Sequence, residues 1–297
     1  MGTTGAVRCD PDRRTTRTRP GRGDARRENR ELDYRVSRSS RELLELACEH
    51  LGDLCDEVVF VGGATVELWI TDLAAPAFRL TEDVDVVVEV ATRQDYYGIE
   101  MRLRDAGFHN DQESGVICRF RHSESGLVLD AMPTEASILG FENRWQKEAF
   151  SNAVEVELPK GQLIRALPPP YLLATKLEAF DSRDRLDFYG SRDWADVITL
   201  IDGREELLGE VAEAPDFVRA YISERLRELS GHRDFDAGVE GALPSSPESR
   251  DRVDLVVLPR VRMLIGEDER DGEDAARTDD DVVHVPAPGK RMFGLME

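Results

Sequence analysis

The feature that most constrains this sequence is a strand-like run that carries two carboxylates two residues apart. Asp83 and Asp85 begin the run Asp-Val-Asp-Val-Val-Val over 83–88. Side chains two apart in a β-strand point to the same face, so these acids should project together while Val84 and Val86 point to the other side. The valines that follow are typical of a core strand, which disfavours a strand face that is simply solvated.

A third acid could complete a metal site with this pair. Two neighbouring carboxylates repel each other unless a cation lies between them, and Mg²⁺ is the first candidate among the hard cations that prefer oxygen ligands. Asp130 lies near the end of the apolar run 126–132, three residues before Pro133. Taken alone, Asp130 could also be an acid that caps a turn at a strand end.

A glycine pair precedes the acidic strand. The apolar run 58–61 predicts a buried strand, and Gly62 and Gly63 follow it before a helix predicted from 64 to about 71. Glycine lets the backbone approach a phosphate closely, and the N–H groups at a helix start favour an anion. A tight strand-to-helix turn would need glycine in any case, so both interpretations stay open on these residues alone.

Together these three pieces resemble the nucleotidyltransferase superfamily that includes DNA polymerase beta. The order is a glycine turn, an Asp-x-Asp strand about twenty residues later, and a single acid on a later strand. The resemblance implies that the two glycines hold the nucleotide phosphates and that the three acids bind two Mg²⁺ ions. The sequence departs from many members in having Ala64 where they have Ser, and Thr65 would then supply the hydroxyl.

A second motif lies beyond the proline run 168–170. Lys176 is in an otherwise apolar predicted helix, and Arg192, Asp193 and Asp196 follow in the next one, with Arg192 and Asp196 on one helix face. The pattern Lys-x-x-Ala, then Arg-Asp-x-x-Asp, resembles the AbiEii-type (abortive infection) nucleotidyltransferases. This resemblance covers about residues 40–265.

The resemblance implies transfer of a nucleoside monophosphate from an NTP. Lys176 would neutralise the triphosphate, Asp130 would be the general base, and Arg192, Asp193 and Asp196 would form the nucleotide-side wall. Simpler explanations exist, because Lys176 could snorkel from a surface helix and Arg192 could form an ordinary helix ion pair with Asp196. Arg79 is placed to face the site, whereas Arg183 is interpreted as a loop charge.

The resemblance also implies a toxin of a toxin–antitoxin pair, with a tRNA 3′ end as acceptor and a cognate antitoxin protein as partner. Two alternatives remain. The acceptor could be a small molecule, as in antibiotic nucleotidyltransferases, which an acidic cleft would suit if the substrate is a cation. The protein could also be a non-catalytic member that binds a nucleotide or a partner.

The predicted fold is α/β of the α+β kind, with a mixed-sheet nucleotidyltransferase core followed by a helical C-terminal domain. Periodicity predicts a first helix capped by Ser40, a helix over 92–106, and one last helix over about 247–265. It also predicts strands over 116–122, 126–132, 153–158 and 162–166. The expected divisions are a disordered Arg-rich arm over 1–38, the core over 39–167, the helical domain over 168–265 and a disordered acidic tail over 266–297.

Composition narrows the classes further. The 297 residues carry a net charge of −21, which disfavours a general nucleic-acid coat without excluding a local basic cleft. No apolar run is long enough to span a membrane and no signal segment is evident, so a cytoplasmic protein without a membrane partner is expected. The sparse cysteines lack a CxxC motif, which predicts reduced and mostly buried thiols rather than disulfides or a zinc site.

The acidic excess combined with scarce lysine suggests a hypothesis about the cellular medium. Only four lysines occur, and nearly all other basic residues are arginine. This composition is typical of a protein that stays soluble in concentrated salt. A genome-wide preference for arginine codons is the alternative explanation.

Overall fold

Seven strands form one mixed sheet in the computed structural model, which describes residues 38–76, 79, 81–140, 144–183 and 186–267. Across the sheet the order is β3-β4-β5-β2-β1-β7-β6. The strands β1–β2, β3–β4, β4–β5 and β6–β7 pair antiparallel, and β2–β5 and β1–β7 pair parallel. In chain order the strands are β1 Val58–Val61, β2 Asp83–Val88, β3 Phe108–Asn110, β4 Arg119–His122, β5 Val128–Pro133, β6 Val154–Glu157 and β7 Leu163–Ala166.

Helices surround the sheet and fill the C-terminal half. Those of the N-terminal half are α1 Ser40–Leu51, α2 Gly63–Trp69, α3 Arg93–Asp105 and α4 Trp145–Asn152, with 3₁₀ turns at Gly52–Glu57 and Ala136–Ile138. The later ones are α5 Pro169–Ser182, α6 Arg192–Gly203, α7 Leu207–Glu213, α8 Asp216–Ser230, α9 Phe235–Ala242, α10 Pro247–Arg252 and α11 Leu258–Ile265. The predicted mixed-sheet core and helical C-terminal half are confirmed, and the domain boundaries stay a prediction.

Local capping explains where the early helices begin. The Ser39 hydroxyl accepts from the Glu42 N–H and the Glu42 carboxylate accepts from the Ser39 N–H, so both ends of a capping box are present. The N-cap of α1 is therefore Ser39, and the sequence prediction of Ser40 was one residue late. Thr92 and Asp95 form the same box at the start of α3, where the sequence predicted a helix to begin.

The alternation along the strands divides the apolar core between the two sheet faces. Val84, Val86 and Val88 of β2 pack in a cluster with α1 and α3, while Val87 packs in a second cluster with the C-terminal helices. Asp83 and Asp85 therefore lie on the face that the C-terminal helices cover. The same alternation puts Leu129 and Ala131 of β5 toward the first cluster, and Asp130 toward the second.

The predicted single helix over 247–265 is wrong in its middle. A π-helical turn, Val253–Val257, separates α10 from α11. Pro259 lies in the first turn of α11 and has no N–H to give to a helical carbonyl, so a wider turn just before it accommodates the break. The sequence analysis also missed strand β3, which has three residues, and helices α4 and α9, which have eight residues each.

The cysteine expectation needs a correction. Cys48 at the end of α1 and Cys55 in the 3₁₀ turn that follows form a disulfide, with Cα atoms 5.2 Å apart. Cys118 is a buried free thiol, as expected, and burial raises its pKa to about 12.

Cys9, the Arg-rich arm up to 37 and the acidic tail from 268 lie outside the described residues. Within the described residues, the helices are all too short or too polar to cross a bilayer.

Candidate functional site

Three acids come together on one face of the sheet; we call Asp83, Asp85 and Asp130 the acid triad. Asp85 of β2 stands directly opposite Asp130 of β5 in the parallel pairing of these strands. Asp83 lies two residues before Asp85 and so projects from the same face. Asp130 is buried, whereas Asp83 and Asp85 are partly exposed. The strand pairing thus brings together the three residues that the sequence singled out.

Arg119 of β4 lies between two of these acids. Its Nη2 atom is 2.9 Å from Asp83 Oδ2 and 2.8 Å from Asp130 Oδ2, and its Nε is 2.8 Å from Asp130 Oδ1. The hydrogen bonds to Asp130 are the main reason that the pKa of Arg119 lies above its usual value. Thr81 donates its hydroxyl to Asp83 Oδ1 at 2.9 Å and holds that carboxylate from the other side.

Asp85 lies against the glycine turn rather than against Arg119. A Cβ atom built on Gly62 would be 1.9 Å from Asp85 Oδ2, and Gly62 has φ of 76°. Only glycine fits here, because it tolerates the left-handed backbone and leaves the space that the carboxylate fills. Burial, followed by the charges of Asp83 and Asp130, raises the pKa of Asp85 to about 7.

The second glycine faces a different set of charges. A Cβ atom on Gly63 would lie 3.3 Å from Asp196 Oδ2 and 3.8 Å from Arg79 Nη2. We call Lys176, Asp193 and Asp196 the lysine cluster. Since Gly62 meets Asp85 and Gly63 meets Asp196, the turn lies between the acid triad and the lysine cluster.

Lys176 of α5 is buried and paired, which rules out the snorkelling explanation. Its side chain is 7% exposed, and Nζ lies 2.9 Å from Asp193 Oδ1 and 2.7 Å from Asp196 Oδ2, both on α6. Burial alone would lower the pKa of Lys176, but Asp196 and Asp193 outweigh it and hold the pKa above its usual value. The ammonium therefore stays charged and ties α5 to α6.

Arginines surround the lysine cluster on its open side. Arg183 Nη2 is 2.7 Å from Asp193 Oδ2 although most of the Arg183 side chain is exposed. Arg183, interpreted from the sequence as a loop charge rather than a ligand, thus lies at the end of α5 and pairs with Asp193. Arg79 Nη2 approaches Asp196 Oδ1 to 3.9 Å, as its sequence position suggested. Arg192 is exposed at the start of α6, and the ion-pair contacts of Asp196 are with Lys176 and Arg79.

Thr65 lies inside the turn. It is fully buried, and its hydroxyl donates to the Gly62 carbonyl at 2.9 Å. This bond satisfies a backbone acceptor at the bend and helps to hold Gly62 in its unusual conformation. In this arrangement Thr65 supports the turn instead of presenting its hydroxyl to a ligand.

A cavity of about 260 Å³ adjoins the lysine cluster. Arg79 and Ala195 are part of its wall, and Ala195 directly precedes Asp196. The rest of the wall is mainly apolar, from Ala75, Pro76, Ala242, Leu243 and Pro244, with Thr199 and Asp202 as polar members. Small apolar side chains line this cavity beside charged groups. Such a lining suits the flat, uncharged part of a ligand whose other end is an anion.

The acid triad fits a divalent cation by its chemistry, although its carboxylates do not enclose one. Six carboxylate oxygens on one sheet face form a hard donor set of the kind that Mg²⁺ prefers. Burial, and then the charges of Asp83 and Asp130, raise the pKa of Asp85, and a bound cation would offset that repulsion. Within the described ranges, however, no three acidic, histidine or cysteine side chains are arranged around one metal position. Arg119 lies where such a cation would have to bridge Asp83 and Asp130.

Sequence reasoning missed Arg119 and Thr81. Nothing in the spacing of Arg119 marks it, since it lies in the pattern Arg-Phe-Arg-His, where alternation predicts only one polar strand face. A cross-strand pairing of this strand with the strand that carries Asp130 would have found it, because the two residues are directly opposite. Thr81 could have been noted from the Thr-Glu-Asp sequence that opens the acidic strand.

Comparison with known proteins concerns the family of this chain. The family model described as the nucleotidyl transferase AbiEii toxin, type IV toxin–antitoxin system, matches residues 46–275. Among solved structures, the chain is similar to an H. pylori protein provisionally assigned as a nucleotidyltransferase, with 11% sequence identity and a TM-score of 0.41; the match covers 82% of this chain and 97% of that one. No curated protein matches the sequence. Because the family model spans most of the chain, from before the glycine turn to beyond the last described helix, the protein belongs to the AbiEii nucleotidyltransferase toxin family.

Proposed function

We propose that this protein transfers a nucleoside monophosphate from an NTP to an RNA acceptor, such as a tRNA 3′ end, in a reaction that depends on Mg²⁺. The observation that carries the proposal is the placement of the glycine turn between the acid triad and the lysine cluster. One side of the turn offers carboxylates for cations and the other offers cationic side chains for phosphates. An NTP–Mg²⁺ complex needs both kinds of group.

In the proposed reaction, the acceptor hydroxyl oxygen forms a bond to the α-phosphorus, and the bond from that phosphorus to the oxygen of pyrophosphate breaks. Asp83, Asp85 and Asp130 would hold two Mg²⁺ ions, which when bound stabilise negative charge on the attacking and leaving oxygens. Asp130 would take the proton of the attacking hydroxyl. The glycine turn would let the triphosphate approach the backbone closely, with Thr65 keeping that turn in shape.

The lysine cluster would hold the triphosphate. Lys176 donates a hydrogen bond to Asp193 and forms an ion pair with Asp196, and we assign another of its N–H groups to a phosphate oxygen. Asp193 and Asp196 would then position the ammonium, and Arg192 would add positive charge at the rim. The adjoining cavity would receive the nucleoside end, because Arg79 connects its wall to Asp196.

An RNA acceptor is favoured over a cationic small molecule by the charges around the site. Arg79, Arg183 and Arg192 are exposed or partly exposed beside the lysine cluster, in a protein whose net charge is −21. Local positive charge at the mouth of an acidic protein attracts a phosphate backbone there and repels it elsewhere. A cationic antibiotic would be repelled by the positive charge of these arginines.

The test is incubation of the full-length protein with each of the four NTPs, Mg²⁺ and total RNA. We expect label from the α-phosphate to enter RNA, label from the γ-phosphate to appear in pyrophosphate, and EDTA to stop both. Asp83→Asn should abolish transfer, while the matched variant Asp105→Asn, an exposed acid at the end of α3, should not change it. Label on a small molecule would replace the RNA acceptor, and nucleotide binding without transfer would overturn the enzymatic proposal. Near-normal transfer by Lys176→Ala at low NTP would remove Lys176 from the site.

A further inference from the structure

Arg119 is the residue in the site whose role the proposed reaction does not explain. It is a strand residue fixed by its pairing: Arg119 stands opposite Asp130, and Asp130 stands opposite Asp85 on the next strand. These three residues therefore form one row across β4, β5 and β2. The guanidinium extends along this row and also reaches Asp83.

The contacts of Arg119 match those that a bridging cation would make. One nitrogen, Nη2, lies within 2.9 Å of Asp83 Oδ2 and within 2.8 Å of Asp130 Oδ2. A metal ion that bridged these two carboxylates would bind the same two oxygens at about 2.1 Å. The guanidinium nitrogen and the ion cannot share that position, so one has to leave when the other arrives.

Arg119 is also able to leave. Its side chain is 24% exposed, and the Asp83 side chain it contacts is 26% exposed, so the guanidinium can turn toward solvent without crossing the core. It keeps its charge at any accessible pH, so it cannot be removed by deprotonation. Once displaced, its planar fork is free to donate two parallel hydrogen bonds to a phosphate group.

We propose that Arg119 is an internal counter-ion that occupies the cation position of the acid triad and is displaced when a divalent metal binds. The inference rests on the proposed function, in which the acid triad binds that metal. It makes Arg119 a positioning residue: in the metal-free protein it keeps Asp83 and Asp130 together, and in the loaded protein it turns to the phosphates of a substrate.

An alternative assignment gives the opposite result and is therefore testable. If Arg119 stays in place and orients the carboxylates while the metal binds other oxygens, its removal should weaken metal binding. If it is displaced, its removal should strengthen metal binding, because the ion no longer competes with a fixed positive charge.

The experiment measures Mn²⁺ affinity of the full-length protein without nucleotide, by calorimetry or electron paramagnetic resonance. We expect Arg119→Gln to bind Mn²⁺ about fivefold or more tightly than the native protein, as removal of one competing charge implies. The matched control is Arg121→Gln on the same strand, whose guanidinium pairs instead with Asp111 at 2.8 Å, and its affinity should be unchanged. The melting temperature of Arg119→Gln should be lower than that of the native protein in EDTA, and Mn²⁺ should close the gap.

Equal or weaker Mn²⁺ binding by Arg119→Gln would overturn the inference. If that variant does not fold in EDTA, Arg119→Lys serves, since a compact ammonium cannot make the same fork and should give an intermediate affinity; an affinity at or below that of the native protein overturns the inference. Tighter Mn²⁺ binding without any nucleotidyl transfer would refute the proposed function and leave the role of Arg119 standing. Nucleotidyl transfer together with an unchanged Mn²⁺ affinity of Arg119→Gln would support the proposed function and overturn the role of Arg119.

Discussion

Gly62 is the residue at which the backbone and the acid triad meet. Its φ of 76° and the 1.9 Å between its would-be Cβ and Asp85 Oδ2 are separate reasons for glycine. The first concerns the turn and the second concerns the carboxylate. The glycine pair is therefore required by the protein's own side chains, whether or not a phosphate also approaches it.

Gly62→Ala should destabilise the protein by more than backbone strain alone. A positive φ costs about 1–3 kcal/mol for a non-glycine residue, and the overlap with Asp85 should add about 1–3 kcal/mol. Gly126→Ala is the matched control, because Gly126 has φ of 69° and no atom within 4 Å of the added Cβ. Urea denaturation measures both variants, and equal losses would mean that Asp85 moves aside at no cost.

Asp85 should make stability depend on pH. Its folded pKa of about 7 lies above the ordinary 3.8, so between about pH 4 and pH 7 the folded state binds the proton that the unfolded state has released. Stability from this group therefore falls as pH rises through that window, and the full penalty is present above pH 7. One pKa unit is worth about 1.4 kcal/mol, and partial exposure reduces that value.

Asp85→Asn removes this penalty and should stabilise the metal-free protein by about 1–3 kcal/mol at pH 8. The gain should shrink toward pH 4, where the native carboxyl is already neutral. Melting curves in EDTA at pH 5 and pH 8 test it, with Asp105→Asn as the exposed control. A gain of the same size at both pH values would show that Asp85 is ionised throughout this range.

At the scale of elements, Lys176 joins two helices through a buried ion pair network. It is in α5, both of its carboxylate partners are in α6, and all three side chains are at most 8% exposed. Removing one member of a buried charge network leaves the others unpaired in a low dielectric, which costs far more than loss of a surface pair. Snorkelling would have predicted only a small change.

Lys176→Met should therefore lower the free energy of unfolding by about 3–5 kcal/mol. Lys147→Met is the control, since Lys147 is 74% exposed and 3.9 Å from Glu135, and it should change stability by less than about 0.5 kcal/mol. Adding Asp193→Asn to Lys176→Met should recover part of the loss, because it removes one unpaired charge. A loss no larger than that of Lys147→Met would contradict the buried network.

The elements that could be predicted from sequence are those whose signal is local. Asp83 and Asp85 were found because strand alternation fixes the relation between residues two apart. The long helices α5 and α6 were found because their apolar periodicity extends over several turns. β3 has only three residues and gives no such signal.

The contacts that could not be predicted depend on how distant segments meet. Arg119 contacts Asp130 because β4 and β5 pair in one register, and spacing along the chain does not give that register. Arg183 reaches Asp193 because α5 and α6 pack side by side. The bond between Cys48 and Cys55 depends on a 3₁₀ turn that brings the two residues together, which composition alone argued against.

At the scale of the whole molecule, the site lies where the sheet meets the C-terminal helices. The acid triad is on the sheet face that these helices cover, and the lysine cluster is on two of the helices themselves. The N–H of Leu167 donates to the carbonyl of Phe60 at 3.1 Å, which ties the chain leading into α5 to the central strand just before the glycine turn. The strand half and the helical half of this chain thus each supply one side of the candidate site.

The charge of the whole chain leads to the last prediction. The chain has sixty acidic and thirty-nine basic residues, which gives a net charge of −21. The excess carboxylates repel one another across the surface. Salt screens this repulsion, which raises stability, and it also weakens the surface ion pairs, which lowers stability. The net effect of salt depends on which of these two effects is larger. We expect the repulsion to dominate, because the excess of carboxylates leaves many without a basic partner, and the melting temperature should be several degrees higher in 2 M than in 0.1 M KCl. An uncharged osmolyte at matched osmolality is the control for general exclusion effects on folding. If stability were equal at the two salt concentrations, adaptation to a salt-rich cytoplasm would be excluded, and the scarcity of lysine would reflect codon preference.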